Sequence, residues 1–333
     1  MWSEIWFSTL AGQYACYLDG RLWAADAIPA GDCVYRARVT RRAPSLGGVF
    51  ADVGERQVLV SCGKEPLPEA GAYLYVYEVE PPEGHKLAVC KRHPVVAGEY
   101  VLYYPDGGDL RFARAVDEET RRLCVAAFPT GVGCLVRSKV GVAEIPSAVA
   151  ELASLMETWR QKATHVGVGL VHRNALDYER FFRGAIAVRC DDAALATRYG
   201  AQYDPDLAAR MEREVTPVLA SLGDRVRTEQ GVELVIDKTE ACWVIDVNGK
   251  DVALDMPEDN AALYVNRLAA TEALRQICLR NMTGVILVDF VSMHARYRPL
   301  LMHALEERAQ VDVRLRVVDM TALGIVEMTR RKV

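Results

Sequence analysis

The feature that most restricts the fold of this chain is a strand, helix, strand run in its last third. "EACWVIDVNGKD" at 240–251 reads as a strand that ends in Asp246 and breaks at Asn248-Gly249. "GVILVDFVSM" at 284–293 has the same form, four apolar residues delivering Asp289 at the end of a strand that looks buried. A long helix is predicted over 258–281 between them, with further strands at 232–237, 312–319 and 323–329 and a helix at 297–309. Strands alternating with amphipathic helices specify an α/β layer, in which functional residues collect at the carboxyl ends of strands. Asp246 and Asp289 both occupy such ends.

The first third has a different pattern. "YACYLDGRLWA" at 14–24 predicts a hairpin through Asp19-Gly20, and alternating strands follow in "GDCVYRARVTRR", "GGVFADVG", "RQVLVSC" and "AYLYVYEVE". Short strands separated by Gly and Pro turns predict a small barrel, with Arg36 and Arg38 on one face of its surface because residues two apart in a strand point the same way. Residues 147–163 predict a helix with Ser147 as N-cap and Val149, Leu152, Leu155, Met156 and Trp159 as its core stripe. The stretch 164–228 is the least legible, with helices predicted around 191–199 and 205–222.

At 333 residues and 51% hydrophobic, the chain has enough apolar material for about two domains with cores of their own. No apolar run approaches the roughly 18 residues that span a bilayer, and Glu4 sits where a signal peptide would be basic, so the chain reads as cytoplasmic with no membrane partner. Nine cysteines, odd in number and never spaced C-x-x-C, indicate buried thiols, with neither a disulfide framework nor a zinc site. The net charge of −5 excludes a polybasic protein, but local patches govern nucleic-acid affinity. Cations cluster at Arg36, Arg38, Arg41 and Arg42, at Arg137 and Lys139, and in the terminal "TRRKV"; each cluster alone is most simply a solvated face.

A hard cation such as Mg²⁺, with Mn²⁺ as an alternative, takes one or two protein carboxylates and fills its remaining positions with waters and phosphate oxygens. Asp246 and Asp289 would supply such a metal site if their strands are neighbours, with the Asn248 amide holding a ligand or phosphate oxygen nearby. An Asp before Asn-Gly is also an ordinary turn signal. His294 beside Arg296 is most simply a surface residue, and "GVGVGLVHR" lacks the context of a dinucleotide site.

"GVELVIDKTEACWVIDVNGKD", "NRLAATEALRQICLRNMTGVILVDFVSM" and "GIVEMTRRKV" resemble, in order and spacing, the catalytic core of the ribonuclease E/G family. That family's pattern includes I-D-x-N on a strand, R-Q-x-x-L-R-x-x-x-G at a helix end, x-D-F on a strand, and G-x-x-E-M-(S/T)-R. Upstream, "VYRARVTRRAPSLGGVFADVG" is similar to its OB-type RNA-binding barrel, and "VAGEYVLYYPDG" and "GVGCLVRS" to parts of its 5′-monophosphate sensor. The resemblance implies an α+β fold of several subdomains. Residues 1–30 would join a central RNase H-like subdomain, 31–94 form the OB-type barrel, 95–163 the sensor-like region, 164–228 a reduced RNase H-like region, and 229–333 an α/β DNase I-like catalytic core.

The implied activity is Mg²⁺-dependent endonucleolytic cleavage of single-stranded, A/U-rich RNA, leaving 5′-phosphate and 3′-hydroxyl ends. Asp246 and Asp289 would hold the metal and Asn248 would assist. Phe50 would stack on a base and Lys86 would bind RNA nearby, with Arg36 and Arg38 beside them; Arg137, Ser138 and Arg314 would bind a 5′-phosphate. Three positions depart from the pattern: Leu59 replaces a second barrel aromatic, and Leu268 and Ser292 replace acids near the core. No C-x-x-C zinc-link motif occurs, so no zinc is expected and any dimer would form without one. Two other readings remain open at this point, an RNA-binding protein of this ancestry with little or no cleavage, and a metal-dependent phosphoesterase acting on a small molecule.

Overall fold

The two aspartates belong to a six-stranded sheet whose two faces differ sharply. In this computed structural model, which describes residues 1–28, 32–80, 82, 87–164, 167–174, 178–182, 184–250, 252 and 258–331, the strand order is Arg225–Arg227, Glu233–Lys238, Cys242–Asn248, Gly284–Asp289, Ile325–Arg330, Leu315–Met320. Cys242–Asn248 and Gly284–Asp289 run parallel, and every other neighbouring pair is antiparallel. The parallel pair needs a long crossover, which the helix Glu258–Leu279 supplies. One face of the sheet is fully buried through Leu234, Ile236, Ile245, Val247, Ile286, Val288, Val326 and Met328. The helix turns Ala262, Val265, Ala269, Ala273 and Ile277 inward, and its small residues permit a close approach.

This sheet belongs to a unit made of Met1–Ile28 and Tyr178–Val333. The same unit holds a five-stranded sheet ordered Gln202–Tyr203, Ala185–Cys190, Trp2–Ser8, Gln13–Leu18, Arg21–Ala27. Trp2–Ser8 pairs in parallel with Ala185–Cys190, so the chain's first strand finds its partner about 180 residues later. The hairpin from Gln13–Leu18 to Arg21–Ala27 turns at Asp19 and Gly20, whose φ angles of 52° and 72° are those of a type I′ turn. The R-Q-x-x-L-R motif ties the long helix to its surroundings: Arg275 bonds the carbonyl of Leu22 (2.9 Å) and the buried carboxylate of Glu272 (2.8 Å), and Arg280 bonds the carbonyl of Gly223 (2.6 Å).

The second unit spans Pro29–Asp177. Five of its strands, Cys33–Ala43, Gly48–Asp52, Gln57–Ser61, Val89–Arg92 and Tyr73–Glu80, form a closed OB-like barrel, because Cys33–Ala43 pairs with both Gly48–Asp52 and Tyr73–Glu80. Ala37, Val39, Val49, Ala51, Val58, Val60, Val76 and Cys90 fill it. Gly48 is required by a close crossing, since a Cβ there would lie 2.3 Å from the carbonyl oxygen of Val60. Beyond the barrel, a sheet ordered Leu110–Phe112, Gly133–Val136, Val101–Tyr104, Val96–Ala97 packs with the helices Glu118–Ala127 and Ile145–Lys162 around Val101, Cys134, Val136 and Leu152.

Several details differ from the sequence reading. The helix expected at 147–163 begins at Ile145, with Pro146 in its first turn, and Ser147 is no cap. The helix expected over 205–222 is two, Leu207–Glu214 and Thr216–Ala220, because Pro217 cannot donate into a continuing ladder. The stretch 164–228 is divided: Gly169–Arg173 pairs with the barrel strand Cys33–Ala43, whereas Ala185–Cys190 belongs to the other unit. All nine cysteines are free thiols, eight buried and Cys242 half-buried. Among the described residues, no helix is long and apolar enough to cross a membrane.

Candidate active site

Asp246 and Asp289 are register partners on the two parallel strands, so their side chains leave the same face about 4.8 Å apart in backbone spacing. Both are exposed. This corrects the expectation of carboxylates at buried strand ends. Burial is confined to the opposite face, where Ile245 and Val288 point, and alternation turns each following Asp toward solvent.

Asn248 lies two residues beyond Asp246 on the same face, and its Nδ2 donates to Asp246 Oδ2 at 2.9 Å. Next in sequence, Gly249 is set against the long helix, where a Cβ would come 2.5 Å from Cγ1 of Val265. Asn-Gly here is thus a fit to the helix as well as a turn. Glu233 faces Asn248 from the next strand, and its carboxylate is engaged by Arg225 (3.2 Å).

A residue the sequence reading overlooked holds the loop after Asp289. Asn266 is fully buried in the long helix and donates Nδ2 to the carbonyl of Val291 at 2.7 Å. Its place within "NRLAATEAL" was the available signal. Of the positions that depart from the family pattern, Leu268 is half-buried in the same helix and Ser292 is exposed in the loop that Asn266 anchors. His294 caps a short 3-10 turn by accepting from the amide of Arg296 (3.2 Å).

The donor set fits a hard divalent cation. Two exposed carboxylates on adjacent strands, one oriented by an amide, offer oxygen ligands and leave room for water and phosphate oxygens, which is how Mg²⁺ is usually held. Among the described residues, no group of three or more His, Cys, Asp or Glu side chains is placed to hold a metal.

On the barrel, Phe50 points outward and is half-buried, with the guanidinium of Arg41 4.7 Å from its ring centroid. Leu59 is its register partner on the neighbouring strand. Arg36 and Arg38 point outward together, as expected from their spacing. Lys86 lies outside the described residues.

Arg137 and Ser138 follow the strand Gly133–Val136. Arg137 donates Nη1 to the carbonyl of Gly98 (3.0 Å), and its backbone amide bonds Tyr100 (2.8 Å). The 98–101 turn is itself locked by Glu151, whose carboxylate accepts from the amides of Glu99 (2.6 Å), Tyr100 (2.7 Å) and Val101 (3.0 Å). Ser138 is exposed. Arg314 belongs to the other unit, where its guanidinium grips Asp312, Nε donating to Oδ1 at 2.9 Å and Oδ2 at 3.2 Å and Nη2 to Oδ2 at 2.8 Å. Arg330 bonds the same carboxylate (2.9 Å) and is fully buried. The cation expected on a solvated terminal face is therefore a core residue.

Residues 209–333 match the model of the ribonuclease E/G family. Ribonuclease E of Nostoc sp. is 28% identical over 329 residues, which cover 89% of this chain and 45% of that protein. Ribonuclease E of Synechocystis sp. is 26% identical, over 89% and 46%, and ribonuclease G of Escherichia coli is 25% identical, over 90% and 72%. The chain is thus similar to ribonucleases E and G over most of its length, and its segment 209–333 matches the family's model. It spans less than half the length of the two ribonuclease E relatives. The matched family segment contains Asp246, Asn248 and Asp289 together with the helix and loop that position them.

Proposed function

We propose that this chain is a member of the ribonuclease E/G family and a divalent-metal-dependent endoribonuclease acting on single-stranded RNA. The observation that carries the reading is the side-by-side placement of Asp246 and Asp289 on one exposed face, with Asn248 bonded to Asp246. The sheet and crossover helix around them would correspond to the family's DNase I-like core. Asp246 and Asp289 would hold the metal, Mg²⁺ or Mn²⁺. When bound there, the cation supplies charge neutralisation at the scissile phosphodiester and activation of the attacking water.

The remaining work falls to the chain's own groups. Asn248 restricts the rotation of the Asp246 carboxylate, and Asn266 holds the loop that follows Asp289. Phe50 offers a π face to a base, a sequence-tolerant contact that suits A/U-rich single strands, and Arg38 and Arg41 offer charge to the backbone. Arg137, with Ser138, would receive a 5′-monophosphate, for which a planar guanidinium is suited. Water attack at the phosphodiester would leave 5′-phosphate and 3′-hydroxyl ends.

Leu268 and Ser292 favour a second reading, an RNA-binding protein of this family with weak or absent cleavage. Incubation with 5′-monophosphorylated A/U-rich RNA, in Mg²⁺ or in EDTA, with mapping of the product ends, separates the two. Cleavage in Mg²⁺ alone with 5′-phosphate products is expected. Salt-sensitive binding without cleavage would establish the second reading, and neither binding nor cleavage would reject both.

A further inference from the structure

Among the described residues, arginines lie over three rings of the barrel, Phe50, Tyr73 and Tyr35, of which only Phe50 belongs to the family pattern. The most open of the three is Tyr73, the first residue of the strand Tyr73–Glu80. Tyr73 keeps 50% of its surface exposed, and the guanidinium of Arg36 lies 4.6 Å from its ring centroid. Its register partner is Arg38, which in turn faces Asp52 on the strand that bears Phe50.

Phe50 and Tyr73 therefore flank the strand Cys33–Ala43 on either side, and that strand presents Arg36, Arg38, Arg41 and Arg42 between and beside them. Leu59 lies on the far side of Phe50, where an aliphatic side chain offers no π face. Two platforms about two strand spacings apart across the sheet, roughly 10 Å, and offset by two residues along it, roughly 7 Å, with cations between them form the combination that holds single-stranded nucleic acid: bases stack on rings while phosphates run along the charge. A ring with half its surface open also adds little to the barrel core, which Val76 on the same strand helps to fill.

We propose that Tyr73, supported by Arg36, is a base-stacking platform for single-stranded RNA, taking over on one side of Phe50 the role that Leu59 does not supply on the other. The proposal rests on the RNA-binding reading above. Tyr73 lies outside the motifs that mark the family, so it would give this chain its own path for the strand, across Arg38.

The test is fluorescence anisotropy of the full chain in EDTA with a labelled oligouridylate and with copies carrying one abasic site at successive positions. Tyr73→Ala should weaken binding by about 5- to 150-fold, the range that loss of one stacked base implies. Tyr73→Phe should bind as the native chain does. In the native chain two abasic positions should weaken binding, and in Tyr73→Ala one of those sensitivities should vanish, an effect that mere loosening of the barrel would not produce. Native binding with an unchanged affinity and abasic profile in Tyr73→Ala would overturn the assignment while leaving the RNA reading standing. No binding by the native chain would overturn both.

Discussion

The Asn248 amide donates to the Asp246 carboxylate at 2.9 Å from two residues along the same strand. That bond aims one of the two carboxylates that would share a metal. Groups of this kind affect metal affinity more than folding, typically by about 10- to 100-fold. Asn248→Ala should therefore raise the Mg²⁺ concentration for half-maximal cleavage by about that factor while RNA affinity in EDTA stays unchanged. A Mg²⁺ titration with unaltered midpoint would show that Asn248 does not orient the metal site.

Arg137 is held by the Gly98 carbonyl, and the turn containing Gly98 is fastened by three amides on Glu151. Arg137→Ala should slow cleavage of 5′-monophosphorylated RNA and leave 5′-hydroxyl RNA nearly unaffected. Arg137→Lys should rescue little, since a point charge lacks the bidentate fork. Glu151→Gln should reproduce part of the same selective loss by loosening the turn. Equal losses on both substrates, measured as rates under limiting RNA, would remove the sensor role.

His93 joins the barrel to the neighbouring sheet of its unit, with Nε2 2.7 Å from Glu65 and Nδ1 2.7 Å from Asp106. The bond to Glu65 above all, then that to Asp106 and the two charges, outweigh partial burial and raise the His93 pKa above 6.5. The Glu65 pKa is lowered, chiefly by the same bond. The clip is thus intact while His93 is charged, is lost as pH rises through the raised His93 pKa, and is lost at the acid end as Glu65 takes up a proton. An NMR titration should place the His93 midpoint above 6.5, and Asp106→Asn should lower it. A midpoint at or below 6.5 in the native chain would contradict this arrangement.

Asp312 is clamped by Arg314 and Arg330. Burial pushes its pKa up, but the bond from Arg314 and the charges of both arginines prevail and bring it from 3.8 down to about 2. Its stabilisation is complete above about pH 4 and disappears as the pH falls through about 2. Asp312→Asn leaves Arg330 buried without its counter-charge, a loss of about 3–5 kcal/mol. Urea unfolding at neutral pH should register it, and the difference between variant and native protein should shrink below pH 4. A difference that does not vary with pH would argue against the ion cluster.

The parts of this fold that were legible in the sequence are those set by local chemistry. The runs ending in Asp246 and Asp289, the long helix between them and the Asp19-Gly20 hairpin follow from apolar pattern and turn residues alone. The pairing of Trp2–Ser8 with Ala185–Cys190 was not legible, because a parallel partner about 180 residues away leaves no mark in the local pattern. The helix Glu118–Ala127 is mostly polar, and only Thr120 and Cys124 are buried, so its apolar signal is thin. At the candidate site, residue type and strand position single out Asp246, Asn248 and Asp289, and the register of the two strands brings the three together. Asn266 and Tyr73 were not visible, since what each does depends on a neighbour brought in from another element, the Val291 carbonyl and the Arg36 guanidinium.

The central claim is that Asp246 and Asp289 hold the metal that cleaves RNA. The most direct measurement is single-turnover cleavage of a 5′-monophosphorylated A/U-rich RNA by the native chain, Asp246→Asn and Asp289→Asn, with RNA affinity measured in parallel in EDTA. The account predicts Mg²⁺-dependent cleavage by the native chain, its loss in either variant, and affinity that is the same in all three. Cleavage by Asp289→Asn at the native rate would contradict it.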